Sequence, residues 1–205
     1  IKCGGKMIEI LIAILLGYLI GSIPTGYIIV KLMTGQDIRT VGSGSTGATN
    51  VKRVLGKKWF FIVMILDAIK GAIPVLLAVF FLHAYQKFGI TPVCAAAAVL
   101  IGHSRSIFLK FTGGKSVASG VGTILALCWQ VGLLIALIWG IITYSTKYVS
   151  VGSIIALALS PILMFAFKQP AGYIVYCAIG AIYIIWLHRE NIKRLIKGNE
   201  NKVRE

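Results

Sequence analysis

The sequence reads as an all-α integral membrane protein with seven transmembrane helices, its N-terminus outside, its C-terminus cytoplasmic and some of its helices short. Three observations carry this reading. Of 205 residues, 58% are hydrophobic and 13% charged, with a mean hydropathy of +0.88; a soluble domain has about 45–50% apolar and about 25% charged residues. The apolar residues are gathered into long runs. The charge is one-sided, with 21 Lys and Arg against 6 Asp and Glu, a net of +15. These features exclude a soluble globular enzyme, a disordered chain and a coiled coil. They assign the excess positive charge to cytoplasmic loops and anionic lipid headgroups, and no nucleic-acid partner is expected.

The runs cover residues 7–33, 59–82, 90–109, 116–129, 131–145, 149–168 and 171–187. A spanning helix needs about 20 residues. The first three and the sixth meet that length, and the seventh lies at its lower limit. Runs four and five admit two readings: one helix about 45 Å long at ~1.5 Å per residue, or two short helices turning near Gln130–Gly132. Positive charge arbitrates. With seven spans and a cytoplasmic C-terminus, fifteen Lys and Arg fall inside and four outside; Lys31 and Lys70 lie within spans. With one long helix the split is nine against ten, which the bias of basic residues toward the cytoplasm disfavours. The chain is therefore expected to be a single polytopic membrane domain over 1–205. Residues 1–6, before the first Met, read as a tag or extension, and 188–205 as a cytoplasmic tail. No cleavable signal and no internal repeat is evident. Cys3, Cys94, Cys128 and Cys177 form no C-x-x-C pair and read as small hydrophobes.

The polar residues fall into three blocks, all on the expected cytoplasmic side. The first runs from Arg39 through Gly42, Ser43, Gly44, Ser45, Thr46, Gly47, Thr49 and Asn50 to Arg53. Its glycines allow a close backbone approach with N–H groups presented to a ligand, and the hydroxyls, amide and cations suit an oxyanion or phosphate. Gly42, Gly44 and Gly47 also match the dinucleotide-binding spacing. That motif needs a preceding strand and a βαβ unit, and here it lies between two apolar spans. The second block joins Gly102-His103 to Phe111-Thr-Gly113-Gly114-Lys115. It is not a nucleotide P-loop, since the required first glycine is replaced by Leu109. Two glycines and a lysine opening a helix still suit an anion, or equally a snorkelling interfacial turn. His103 reads as a brace for this loop. In the third block, His188 and Asn191 are three residues apart and share one helix face. His83 lies in an outer loop and receives no role.

Asp67 and Lys70 lie within the second span, three residues apart, and read as an internal pair bracing the site. There is no G-x-S-x-G elbow, no H-x-x-x-x-D acyltransferase motif, no H-E-x-x-H and no carboxylate cluster for two metals.

Taken together, Gly42-Ser-Gly-x-x-Gly-Ala-Thr-Asn50, Gly102-His103 with Phe111-x-Gly-Gly-Lys115, and His188-Arg-Glu-Asn-Ile-x-Arg194 resemble the three motifs of the bacterial acyl-phosphate:glycerol-3-phosphate acyltransferases, the PlsY family. The resemblance covers about residues 8 to 200. It implies a seven-helix enzyme of the bacterial inner membrane, with its active site on the cytoplasmic side. The reaction it implies moves an acyl chain from acyl phosphate to the 1-hydroxyl of sn-glycerol 3-phosphate, giving lysophosphatidate and phosphate. It implies no metal and no cofactor, and no obligate protein partner is expected. The family's functional positions map onto Ser43 and Arg53, Lys115, and His188 and Asn191. Three positions depart from its pattern: Ser45 stands where Asn is usual, Ser116 where Gly is common, and the usual proline is absent after His103.

On this reading Ser43, His188 and Asn191 are catalytic. Gly42, Gly44, Gly47, Asn50, Arg53, His103, Gly113, Gly114 and Lys115 bind substrate phosphate. The base is His188 or a substrate phosphate oxygen. A Ser43 acyl-enzyme lacks a His–Asp partner, so direct transfer is favoured. The rival is a small anion transporter, supported only by Asp67 and Lys70 and disfavoured by the one-sided polar blocks.

Overall fold

Helices account for the regular structure of the computed structural model, which describes residues 2–82 and 88–203, apart from one isolated bridge between Ser106 and Thr112. His83, Lys87 and Arg204 lie outside the described residues.

The first apolar run forms two helices, α1 (Lys2–Ser22) and α2 (Thr25–Thr34). They part at Ile23-Pro24, because proline lacks an N–H and pushes the preceding residue away from helical angles. The first polar block contains a two-turn helix, α3 (Ala48–Leu55), begun by Gly47 and ended by Gly56. The second run is α4 (Lys57–Phe81).

The third run is shorter than expected. α5 (Ile90–Ser104) ends before Arg105, and the chain then turns through a 3₁₀ segment at Ile107–Leu109. Runs four and five are two helices, α6 (Val117–Leu127) and α7 (Trp129–Thr146). The break falls at Cys128, which is extended, and not at Gln130–Gly132. The displacement has a packing reason. Gly132 sits in the first turn of α7 directly against Leu125 of α6, where any Cβ would collide. Gly132 thus serves the contact between the two helices and not the turn. α8 (Val149–Ala166), α9 (Ala171–Leu187) and α10 (Arg189–Ile196) complete the chain.

Residues 6–34, α4, α7 and α8 are long and apolar enough to cross a membrane. α9 joins α10 through a 60° bend and makes a fifth candidate, while α5 and α6 are apolar but shorter. The outer surface is greasy: Leu32, Phe80, Phe165 and Ile182 are exposed, as a lipid-facing surface requires. Helices approach closely through small residues, the usual device where lipid competes for apolar contact. Gly17, Gly21 and Gly102 bring α1 onto α5, and Gly71 and Gly122 bring α4 onto α6. Cys94, Cys128 and Cys177 are free thiols, partly or fully buried within the helical bundle.

Candidate active site

The three polar blocks meet. Ser43, Gly47, Asn50 and Arg53 from the first, His103 and Lys115 from the second, and His188 and Asn191 from the third line one cavity of about 390 Å³. Gly42, Gly44, Gly113 and Gly114 do not line it; they shape the loops that do.

The first block is organised by Asn50, which is 1% exposed. Its amide nitrogen donates to the carbonyls of Val41 and Ser45 at 2.9 Å and of Ile38 at 3.2 Å. Its oxygen accepts the Ser43 N–H at 3.0 Å. Gly42 has a φ of +62° and lies so close that a Cβ would strike the Asn50 oxygen. The N–H groups expected from the glycines are mostly spent inside the loop. Gly44 donates to Val41 at 3.1 Å, and Gly47 donates to the Ser45 hydroxyl at 3.3 Å. The open donors belong to Ala48 and Thr49, the first turn of α3, which line the cavity. A helix N-terminus presents unpaired N–H groups and positive potential. The Arg53 guanidinium and the Ser43 hydroxyl have no hydrogen-bond partner among the described residues.

The second block is held by His103, whose carbonyl accepts the Gly114 N–H at 3.1 Å. Its ring lies where a Gly114 Cβ would project. Its Nδ1 is buried without a hydrogen bond, 3.7 Å from Asp67 Oδ1. Ser116 adopts a left-handed φ of +58° and donates its hydroxyl to Leu100 at 2.7 Å.

Lys115 reaches the third block and donates to the Asn191 amide oxygen. Burial, reinforced by the positive charge of Arg194, pushes its pKa down to about 8. His188 sits at the bend between α9 and α10 and is 4% exposed. Its Nδ1 lies 2.8 Å from the Ile184 carbonyl. A carbonyl only accepts, so Nδ1 carries the proton and Nε2 is the ring's free acceptor. Burial, with Lys115 adding to it, lowers the pKa of His188 to about 4; the ring is neutral at pH 7.

Sequence reasoning missed Glu200. The tail after Gly198 folds back, and the Glu200 carboxylate accepts from Asn191 Nδ2 at 2.6 Å, Arg194 Nε at 2.7 Å and Ser150 Oγ at 3.1 Å. The backbone is pinned beyond it, where Val203 N–H donates to Lys147 at 2.8 Å. Its only sequence signal is rarity, one of six acidic residues in a strongly basic chain. Also missed was the cavity's apolar side, formed by Phe60, Met64 and Ala68 of α4, Val121 of α6, and Ala136 and Trp139 of α7. Asp67 and Lys70 pair at 2.9 Å. Asp67 also accepts from the Thr25 hydroxyl, and Lys70 donates to the Ile23 carbonyl at 2.6 Å. With these partners the pair braces α4 against the α1–α2 break, and little of either charge is left for a transported anion. Among the described residues no cluster of His, Cys, Asp and Glu suits a metal ion.

Comparison with known proteins agrees over nearly the whole chain. The glycerol-3-phosphate acyltransferase family model matches residues 11–198. A glycerol-3-phosphate acyltransferase of Synechococcus sp. (strain JA-2-3B'a(2-13)) is 44% identical over 197 residues, 96% of each chain. One from Nostoc sp. (strain PCC 7120) is 42% identical, covering 93% of this chain and 90% of that protein. The crystal structure of PlsY (YgiH), an integral membrane glycerol 3-phosphate acyltransferase, in its glycerol 3-phosphate form superposes with a TM-score of 0.89 at 37% identity, covering 95% of this chain and 96% of that one. Its lysophosphatidic acid form gives 0.87 at 35%. A multi-pass membrane architecture, three motif blocks meeting at one cavity and these similarities lead to one conclusion: the chain belongs to the glycerol-3-phosphate acyltransferase family.

Proposed function

We propose that this protein transfers an acyl chain from acyl phosphate to the 1-hydroxyl of sn-glycerol 3-phosphate, releasing lysophosphatidate and phosphate. The observation that carries the proposal is the cavity's division. One side bears Arg53, Lys115, Arg194 and the open N–H groups of α3; the other is an apolar wall between helices. Two phosphate-bearing substrates, one with a hydrocarbon tail, need both. In the membrane, the chain makes seven crossings, α1 and α2 together, then α4 to α9, with its N-terminus outside. The site lies on the cytoplasmic side of the bacterial inner membrane; the fifteen-to-four partition of positive charge supports this orientation.

Acyl phosphate is already activated, so the enzyme's work is positioning, charge stabilisation and disposal of one proton. The α3 N-terminus, the Ser43 hydroxyl and Arg53 hold the donor phosphate and the developing oxyanion. Asn50 acts through the loop it organises. Lys115 and Arg194 neutralise the phosphate of the acceptor, and Asn191, steadied by Glu200, orients it. The acceptor hydroxyl donates to His188 Nε2, its oxygen attacks the acyl carbonyl, and the carbon–oxygen bond to phosphate breaks. With a pKa of about 4, His188 orients the hydroxyl better than it retains a proton. The phosphate departs as a trianion far more basic than the ring and takes up the proton, leaving as hydrogen phosphate.

The test is phosphate release by the purified protein in lipid, with palmitoyl phosphate and glycerol 3-phosphate and no metal. Release that requires both substrates, with lysophosphatidate formed in equal amount, is the expected result. Ser43→Ala, Arg53→Ala and His188→Ala should lose turnover while remaining folded. Wild-type rates in all three, or no reaction by folded wild-type protein, would refute the assignment.

A further inference from the structure

Phe60 of α4 and Trp139 of α7 stack across the cavity, their ring centroids 6.5 Å apart and their planes 17° apart. The pairing is unusual because the helices that carry the rings do not pack on one another along their lengths. α4 leans on α6, and α7 leans on α6 and α8. The rings therefore bridge a gap between helices. Phe60 lies three residues into α4, close to the polar loops, and the cavity continues past it along Met64 and Ala68, about one and two turns deeper. On α7, Ala136 lies one turn from Trp139 on the same face. Small side chains thus leave room beside a bulky pair. The cavity also reaches Ile65, which is 54% exposed on the outer, lipid-facing surface.

The two rings are held differently. Trp139 Nε1 donates to the Ser153 hydroxyl at 3.2 Å, and that hydroxyl donates to the Val149 carbonyl at 2.8 Å. The indole is therefore moored to α8. Phe60 has only apolar contacts, including an edge-to-face contact with Phe61 at 5.1 Å. One ring is tied by a hydrogen bond, and the other is held by ring contacts alone.

We propose that Phe60 and Trp139 form a clasp over the acyl chain of the donor, which lies in the gap between α4 and α7 with its tail along Met64, Ala68 and Ala136. This inference rests on the acyl-transfer reading above and assigns the donor specificity of that same cavity. The clasp touches the donor and not the acceptor. Its loss therefore acts on the Michaelis constant of one substrate, which a general loss of structure would not do.

The experiment measures both Michaelis constants for purified Phe60→Ala, Trp139→Phe and Trp139→Ala in lipid, with thermal stability in parallel. Each methylene removed from water carries about a fourfold factor in binding. Loss of one ring that covers two or three of them should raise the KM for palmitoyl phosphate by roughly tenfold or more, with the KM for glycerol 3-phosphate within about twofold and Trp139→Phe retaining most of the donor affinity. Ala136→Phe, which fills the space below the clasp, should depress kcat/KM for stearoyl phosphate more than for decanoyl phosphate. Equal changes in both Michaelis constants, or unchanged donor constants together with an unchanged chain-length profile in Ala136→Phe, would overturn the clasp. Failure of the wild-type protein to acylate glycerol 3-phosphate with any donor would instead overturn the underlying reaction.

Discussion

The Lys115 ammonium makes a sharp prediction because its environment works against its charge. It is half-buried, donates to Asn191, and has Arg194 and Arg53 nearby with Glu200 as the opposing charge. Burial first, and Arg194 next, lower its pKa to about 8. A lysine that neutralises a phosphate acts only when charged, so binding by the free enzyme weakens as pH rises through that value. One unit above its pKa an amine is only about one-tenth protonated. The kcat/KM for glycerol 3-phosphate should therefore fall roughly tenfold between pH 7 and pH 9, since that parameter reports the free enzyme. At saturating substrate, kcat should persist to higher pH, because a bound phosphate dianion raises the lysine's pKa again. Lys115→Arg should abolish this alkaline limb, since a guanidinium stays charged throughout. Its absolute rate should be lower, because a planar fork does not replace a point charge.

Stability moves the other way and separates site titration from unfolding. The folded-state pKa of Lys115 lies below its unfolded value of about 10.4. Between about pH 8 and 10.4 the unfolded chain binds more protons, so this residue's contribution to stability rises with pH in that window. The assay is lysophosphatidate formation in lipid nanodiscs from pH 6.5 to 10, corrected for spontaneous acyl-phosphate hydrolysis, with melting temperature followed on the same samples. An identical alkaline limb in Lys115→Arg, or a wild-type profile flat beyond pH 9.5, would refute the reasoning.

Three further perturbations test the scaffold. Gly114→Ala drives a methyl group into the buried His103 ring. It should cost about 1–3 kcal/mol and raise the KM for phosphate substrates, read from melting temperature and steady-state kinetics; normal values for both would show that the loop has room. Ser116→Gly relieves a left-handed φ of +58° but removes the hydroxyl bond to Leu100. The two effects, each about 1 kcal/mol, should nearly cancel and leave activity within about twofold, whereas an inactive variant would mean that the hydroxyl serves the site. Glu200→Ala strands Asn191 and Arg194 and should cost about 2–4 kcal/mol. Glu200→Gln, which still accepts from Ser150 and Asn191, should fall between the two in melting temperature and in KM for glycerol 3-phosphate.

What the sequence made legible follows from which interactions are local. Apolar runs are set by the solvent they face, so each of the seven runs corresponds to a helix or, for the first, to a helix pair broken at Pro24. The position of a break inside apolar sequence is set by packing and is not legible locally. Gly132 looks like a turn residue, yet it serves a close contact with Leu125, and the chain bends at Cys128 instead. The polar blocks stood out because hydroxyls, glycines and cations are conspicuous between membrane segments. Their internal wiring did not, because a glycine that permits a turn and a glycine that donates to a ligand look the same in sequence.

Glu200 shows a further limit and bears on how the site works. It lies nine residues beyond Asn191 in the chain, where no helical period relates them, so only the folding back of the tail brings its carboxylate to Asn191 and Arg194. Its charge offsets part of the cationic cluster before substrate arrives. A site with Arg53, Lys115 and Arg194 alone would bind any phosphate tightly, including the inorganic phosphate that the reaction releases. A buried carboxylate among them tempers that affinity while holding Asn191 and Arg194 in place, which favours product departure over uniform tight binding. The Glu200 variants should therefore show changed inhibition by inorganic phosphate as well as lower stability. Tighter inhibition in Glu200→Gln than in wild type is the expected sign, and weaker inhibition in a folded variant would count against this balance of charge.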